Sequence, residues 1–141
     1  MRLAMEVEGK EICKIEVFED KCPIIAKELR EKLPLKTMLQ HGKLNGDLIF
    51  FTLPIVAPWE NKYITGDLGK ERIKEKGTAA GTVCFYGPRQ QFCIVYGDDT
   101  SDEPLPISYI GEVVEGEMQL RVTGMETWFD QGRVLELKVI D

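Results

Sequence analysis

The feature that most constrains the fold of this chain is a two-residue periodicity, in which apolar side chains recur at every second position of short segments ended by glycine, proline or acidic clusters. Leu3, Met5 and Val7, then Cys13, Ile15 and Val17, alternate with polar residues on either side of Gly9-Lys10. A strand sends successive side chains to opposite faces, so this pattern predicts a hairpin with one face buried. Asp47-Leu48-Ile49-Phe50-Phe51-Thr52-Leu53 is rich in β-branched and aromatic residues and stops at Pro54, as a strand does. Gly81 to Tyr86, a Gly87-Pro88 turn and Gln91 to Tyr96 read as two adjacent strands. Ile107 to Val114 forms another, and Met118, Leu120 and Val122 alternate with Gln119, Arg121 and Thr123 as one more. A final turn at Asp130-Gln131-Gly132 leads into Val134 to Ile140.

One segment breaks the rhythm. Ile25, Leu29 and Leu33 recur every four residues, with Pro23 before them and Pro34 after, which predicts a helix with proline in its first turn and a proline stop. Residues 54–80 fit neither period: Pro58-Trp59-Glu60-Asn61 reads as an irregular loop and Gly69 to Gly77 as a short charged stretch. There is no repeat or linker, so residues 1–141 are read as a single domain. About seven to nine short strands with one or two helices predict a mainly β fold, a closed or nearly closed barrel.

Composition removes whole classes of function. Lys and Arg number 18 against 24 Asp and Glu, a net charge of −6, and no basic cluster exists, so neither nucleic acid nor an anionic membrane is an expected partner. The longest apolar runs fall far short of the ~20 residues that cross a bilayer. The start of the chain lacks the apolar core of a signal peptide, and a cytoplasmic location is expected. Cys13, Cys22, Cys84 and Cys93 show no paired metal-ligand spacing and read as buried thiols. His41, the only histidine, stands in Gln40-His41-Gly42-Lys43 and is expected in a solvated turn. Asp98, Asp99, Asp102 and Glu103 lack the calcium-loop pattern and are expected in a solvated loop. No glycine spacing cradles a phosphate, and no metal or cofactor is expected. Trp128 is expected to pack under a loop and Trp59 to anchor one.

Four segments taken in order resemble the cyclophilins. Phe18-Glu19-Asp20-Lys21-Cys22-Pro23 follows a hairpin and approaches a helix as in that family. Gly81 to Tyr86 with Gln91-Phe92-Cys93-Ile94, then Ile110-Gly111-Glu112-Val113 to Met118, then Leu135 to Asp141, are similar to its later strands. The match is closer to the small bacterial and archaeal cyclophilin-like proteins, several of which have no established activity. The resemblance implies an eight-stranded antiparallel barrel capped by helices, with any ligand groove on its outer face.

Prolyl isomerisation crosses an amide barrier of ~18–20 kcal/mol, and cyclophilins lower it with an apolar proline pocket and an arginine aimed at the prolyl nitrogen. The strand equivalent to the one that carries this arginine reads Phe50-Phe51-Thr52-Leu53, without one. The family histidine would fall near Pro106 or Ile107 and its pocket tryptophan near Asp102. Gln91 matches the family glutamine, while Cys93 stands where the family has a phenylalanine. Two functions of different class follow. The first is a binding module whose groove, lined by some of Phe51, Phe85, Arg89, Gln91, Cys93 and Tyr109, holds a small molecule or an extended peptide. The second is a weak prolyl isomerase using Arg89 and Gln91. Alternation puts Gln91, Cys93 and Val95 on one face of their strand and Phe92, Ile94 and Tyr96 on the other. Either the first trio faces a groove, or Cys93 and Val95 are barrel core with Gln91 at an edge. The chain is expected as a monomer or a dimer.

Overall fold

A computed structural model describes residues 1–141. Nine strands and three helices follow one another: β1 (Arg2–Val7), β2 (Lys10–Val17), α1 (Pro23–Lys32), β3 (Leu35–His41), β4 (Gly46–Thr52), β5 (Lys62–Ile64), α2 (Thr65–Lys76), β6 (Thr82–Tyr86), β7 (Gln91–Thr100), β8 (Pro106–Glu115), α3 (Glu117–Phe129) and β9 (Arg133–Val139). Short 3₁₀ turns occupy Lys43–Asn45 and Gly87–Arg89. Eight strands pair antiparallel in the order β2-β1-β9-β3-β4-β7-β6-β8, and β8 returns to β2 to close the barrel. Strand β5 joins the first half of β8 outside the ring.

The predicted alternation is the reason the ring closes around a core. Leu3, Met5, Ile15, Ile49, Phe51, Phe85, Phe92, Ile94, Leu135 and Leu137 all point inward and are almost entirely buried. Phe51 stacks on Phe92 with ring centroids 4.9 Å apart. Helix α1 closes one end with Ile25, Ala26 and Leu29. Its first amides find a cap far along the chain, because Glu60 accepts from the Ile25 amide at 2.7 Å and the Ile24 amide at 3.0 Å. Asn61 donates to the Tyr109 carbonyl at 2.8 Å. The loop that carries no sequence period is thus held by polar contacts, which periodicity does not register.

Three sequence expectations are corrected. The first concerns Met118 to Thr123, which is not a strand but the start of α3. This helix buries Leu120, Thr123, Gly124 and Thr127, a true helical spacing carried mostly by threonine and glycine, while Met118 and Met125 are exposed. An apolar-residue count therefore registers Met118, Leu120 and Val122, of which only Leu120 turns inward. The second concerns Gly69 to Gly77, which belongs to α2. Only Gly66 and Leu68 are buried on that helix, so it has no apolar stripe, and it ends on Gly77 in the left-handed region at φ 84°. These two helices bring the number to three, where one or two were expected.

The third correction is His41, which is not in a solvated turn. It ends β3, a strand with no clear apolar period, and faces inward beside β4. Its Nε2 lies 2.6 Å from the Tyr96 hydroxyl, its backbone amide donates to Gln131, and its ring packs against Trp128, whose ring also carries the Lys43 ammonium. Nδ1 is buried without a partner. Burial, and then the Lys43 charge, push His41 below its ordinary value. Tyr96 is pushed up to about 12 by burial and by the Asp47 carboxylate.

Two measurements check this packing. A Cβ on Gly124 would overlap the Tyr96 ring. Gly124→Ala is therefore expected to lower unfolding free energy by about 1–3 kcal/mol in urea titration, although alanine is favoured over glycine within a helix by ~1 kcal/mol. Burial makes folded His41 take up a proton less readily than the unfolded chain, which protonates it as pH falls through about 6.5. The unfolded state then binds more protons, so stability is expected to fall between about pH 7 and pH 5, with a shallower fall in His41→Gln.

Candidate functional site

The site is built on the outer face of β6 and β7. Their register sets Tyr86 opposite Gln91 and Cys84 opposite Cys93. With Phe85, Phe92, Ile94 and Tyr96 committed to the interior, alternation sends Thr82, Cys84 and Tyr86 outward from β6 and Gln91, Cys93 and Val95 outward from β7. All six line one cavity of about 340 Å³. Leu48 of β4 and Ile107 of β8 extend its floor at the sides. Its roof comes from Thr65, Leu68 and Gly69 of α2 and from the segment Thr100–Leu105, which runs back across β6 from the end of β7 to the start of β8.

The roof rests on glycine. A Cβ on Gly66 would stand 2.6 Å from the Asp102 carboxylate and 3.0 Å from its Cα, and one on Gly69 3.0 Å from the Thr100 hydroxyl, so glycine at both positions lets α2 lie this close to the loop without displacing it. The Gly66 amide donates to the Glu103 carbonyl, and the Thr65 hydroxyl to the Leu105 carbonyl at 2.9 Å. Farther along α2, Arg72 reaches Glu112 of β8 at 2.8 Å and Lys76 reaches its other oxygen at 3.3 Å. The Tyr109 hydroxyl donates to the same carboxylate.

Of the residues singled out from the sequence, Arg89, Gln91 and Cys93 meet at this cavity. The alternative in which Cys93 and Val95 belong to the barrel core is overturned by the alternation, which buries Phe92 and Ile94 there instead. Phe51 and Phe85 are inside the barrel and do not line the cavity. Tyr109 does not line the cavity but packs beside it on the same outer face, in a small cluster with Leu68, Cys84, Cys93 and Ile107 and beneath Arg72 of α2. Tyr86, Thr82 and Leu48 were missed, although extending the alternation to β6 and β4 marks them. Leu68 and Glu103 carry no such signal, because their position depends on how α2 and the loop fold over the sheet.

The chemistry of the lining is mainly apolar. Burial pushes the Cys93 thiol up to about 12, and Cys84 is raised well above the thiol range by burial and by neighbouring Cys93, so both stay neutral. The acidic residues near the roof are dispersed: Asp98 accepts from Thr78 and the Ala79 amide, Asp102 pairs with Lys70 at 2.9 Å, and Glu103 accepts from the Ser101 hydroxyl at 3.1 Å. No three His, Cys, Asp or Glu side chains converge as a metal site would require. Among the arginines, Arg2, Arg30, Arg72, Arg121 and Arg133 each have a carboxylate within 4.0 Å, and Arg89 has none.

No protein-family model and no curated protein matches this sequence. Solved structures do match its shape. The structure of McbB in complex with tryptophan superposes with a TM-score of 0.75 at 20% identity, covering 99% of this chain and 46% of that one. This chain thus spans less than half the length of McbB. A hypothetical protein from Archaeoglobus fulgidus gives a TM-score of 0.64 at 19% identity, covering 98% of this chain and 93% of that one. A cyclophilin-type peptidyl-prolyl cis-trans isomerase from Cryptosporidium parvum, solved in the presence of the dipeptide Ala-Pro, gives 0.63 at 14% identity, covering 100% and 99%. The fold is cyclophilin-like.

On this cyclophilin-like barrel, β4 presents Phe50, Phe51 and Thr52 with no guanidinium. The arginine at the cavity is Arg89, on the turn between β6 and β7. Trp59 packs on Tyr86 at the cavity's edge, with ring centroids 6.0 Å apart. All four cysteines are buried and free, and Cys13 and Cys22 are also pushed up to about 12, chiefly by burial. At pH 8 an aromatic disulfide reagent is expected to label none of them in the native protein within the time that labels all of them in denaturant.

Proposed function

We propose that this cyclophilin-like barrel is a binding module that holds a small organic molecule or a short peptide against the outer face of β6 and β7. The observation that carries the reading is the cavity itself: about 340 Å³, roofed, and lined by apolar side chains together with a few polar and charged ones. Those are the usual attributes of a small-molecule site. A barrel that needed these strands only for its core would have no use for a roof over their outer side. The molecules named with two similar structures, tryptophan in McbB and Ala-Pro in the Cryptosporidium isomerase, have the size that such a space accepts. No helix is long and apolar enough to cross a membrane, and four free thiols fit the reducing cytoplasm as the compartment.

L-Tryptophan and Ala-Pro are the first probes. A ligand that binds only the folded state stabilises it by mass action, so millimolar ligand is expected to raise Tm by a few degrees. Val95→Trp fills the floor from a position outside the barrel core and is expected to abolish the shift. An unchanged Tm with both probes, together with unchanged chemical shifts at Thr82, Cys84 and Cys93, would count against the reading.

A second reading keeps weak prolyl isomerase activity, favoured by the meeting of Arg89 and Gln91 at one cavity. Removing one preorganised donor from a transition-state site costs on the order of 10²–10³ in rate, so activity without an arginine on β4 is expected to be low. A cis/trans exchange assay on a proline peptide decides it: a rate lost in Gln91→Ala supports the isomerase, and a rate equal to background removes it.

A further inference from the structure

We infer that the cavity takes a zwitterion, a carboxylate and an ammonium carried on an apolar body of amino-acid or dipeptide size. This rests on the cavity being a ligand site and names the class of ligand. Two charged side chains, Arg89 and Glu103, are part of the lining. They come from different elements and do not neutralise each other. Arg89 belongs to the turn at the Tyr86–Gln91 end of the floor, whereas Glu103 lies midway along the loop that crosses the roof.

Both are left unpaired. Arg89, which is exposed, is the one arginine of the chain without a carboxylate within 4.0 Å. Glu103 has no cation at that distance, although it is half-buried, and its side chain accepts only from the Ser101 hydroxyl. A charge beside an apolar space becomes unfavourable when an occupant displaces its water without pairing it. The chain could have paired either one, as it does for Asp102 with Lys70 in the same loop.

The ligand classes differ in what they leave behind. A neutral apolar molecule would desolvate both charges and satisfy neither. An anion would pair with Arg89 and be repelled by Glu103, and a cation would do the reverse. A zwitterion pairs both. The planar guanidinium matches a carboxylate in two parallel hydrogen bonds, and the Gln91 amide, two residues along, supplies a further donor at that end. Cys84, Cys93 and Leu68 of the same lining provide the apolar bed for the body of the molecule.

The test uses one apolar skeleton in four charge forms, L-phenylalanine, 3-phenylpropionate, phenethylamine and 3-phenylpropanol, titrated by calorimetry or NMR into the intact protein. L-Phenylalanine is expected to bind about tenfold or more tighter than the other three, the scale of one charge-assisted hydrogen bond. Arg89→Gln is expected to weaken it to the level of phenethylamine, and Glu103→Gln to the level of 3-phenylpropionate. Neither residue belongs to the core or to an ion pair, so both variants should melt like the parent. Four forms binding within about twofold of one another, or a ranking untouched by either variant, would overturn the zwitterion and leave the cavity as a ligand site. Binding of none of them at millimolar concentration, with L-tryptophan and Ala-Pro also silent, would overturn the ligand site itself.

Discussion

Closure of the ring through the pairing of β2 with β8 is the constraint from which the rest of the structure follows. A closed antiparallel barrel has no free edge, and every strand must divide its side chains between an inside and an outside. The inside is filled by phenylalanine, leucine and isoleucine, with α1 and α3 at the ends. The outside of β6 and β7 is then a second surface, free of any duty to the core. A patch of cysteine, valine and tyrosine there would be an exposed apolar face unless something covered it. Helix α2 and the Thr100–Leu105 segment cover it incompletely, and the space left between floor and roof is the cavity.

The roof is made differently from the barrel. The core is held by apolar burial, which is non-directional and spread over many residues. The roof is held by a few directional contacts, namely the Gly66 and Thr65 bonds to the loop, the Arg72 and Lys76 bridges to Glu112, and the close approach that two glycines allow. Leu68 is the one apolar side chain of α2 buried in the cluster with Cys84, Cys93 and Ile107, and a cover otherwise held this way leaves room beneath it. The buried His41 at the α3 end shows the other use of polar groups in this protein, as filling for a corner where β3, β4, β7 and α3 meet.

Much of the barrel was legible in the sequence because strand periodicity and barrel burial are the same fact. Wherever a strand alternates apolar with polar residues, as in β1, β2 and β9, the pattern marks both the element and its inward face. The same alternation groups Gln91, Cys93 and Val95, and the Gly87-Pro88 turn sets Arg89 beside them. It fails where burial is carried by residues that are not apolar. Helix α3 turns Thr123, Gly124 and Thr127 inward, so its pattern mimics a strand, and α2 buries almost nothing apolar. His41 was misplaced because a histidine followed by glycine and lysine looks like a turn, while its environment is set by Tyr96 and Trp128, distant in the chain.

What the sequence determined by itself is the class of fold and the side of each strand, since both depend on local alternation and on which residues avoid water. It also determined that Phe50-Phe51-Thr52-Leu53 carries no arginine. What only the tertiary structure decided is that the outer face is roofed, that Leu68 and Glu103 belong to it, and that Arg89 and Glu103 share one space without meeting. Those facts depend on where a polar helix and a ten-residue strand's return loop come to rest. Contacts across such distances leave no period in the chain, because the residues that make them are neighbours only after the barrel has closed.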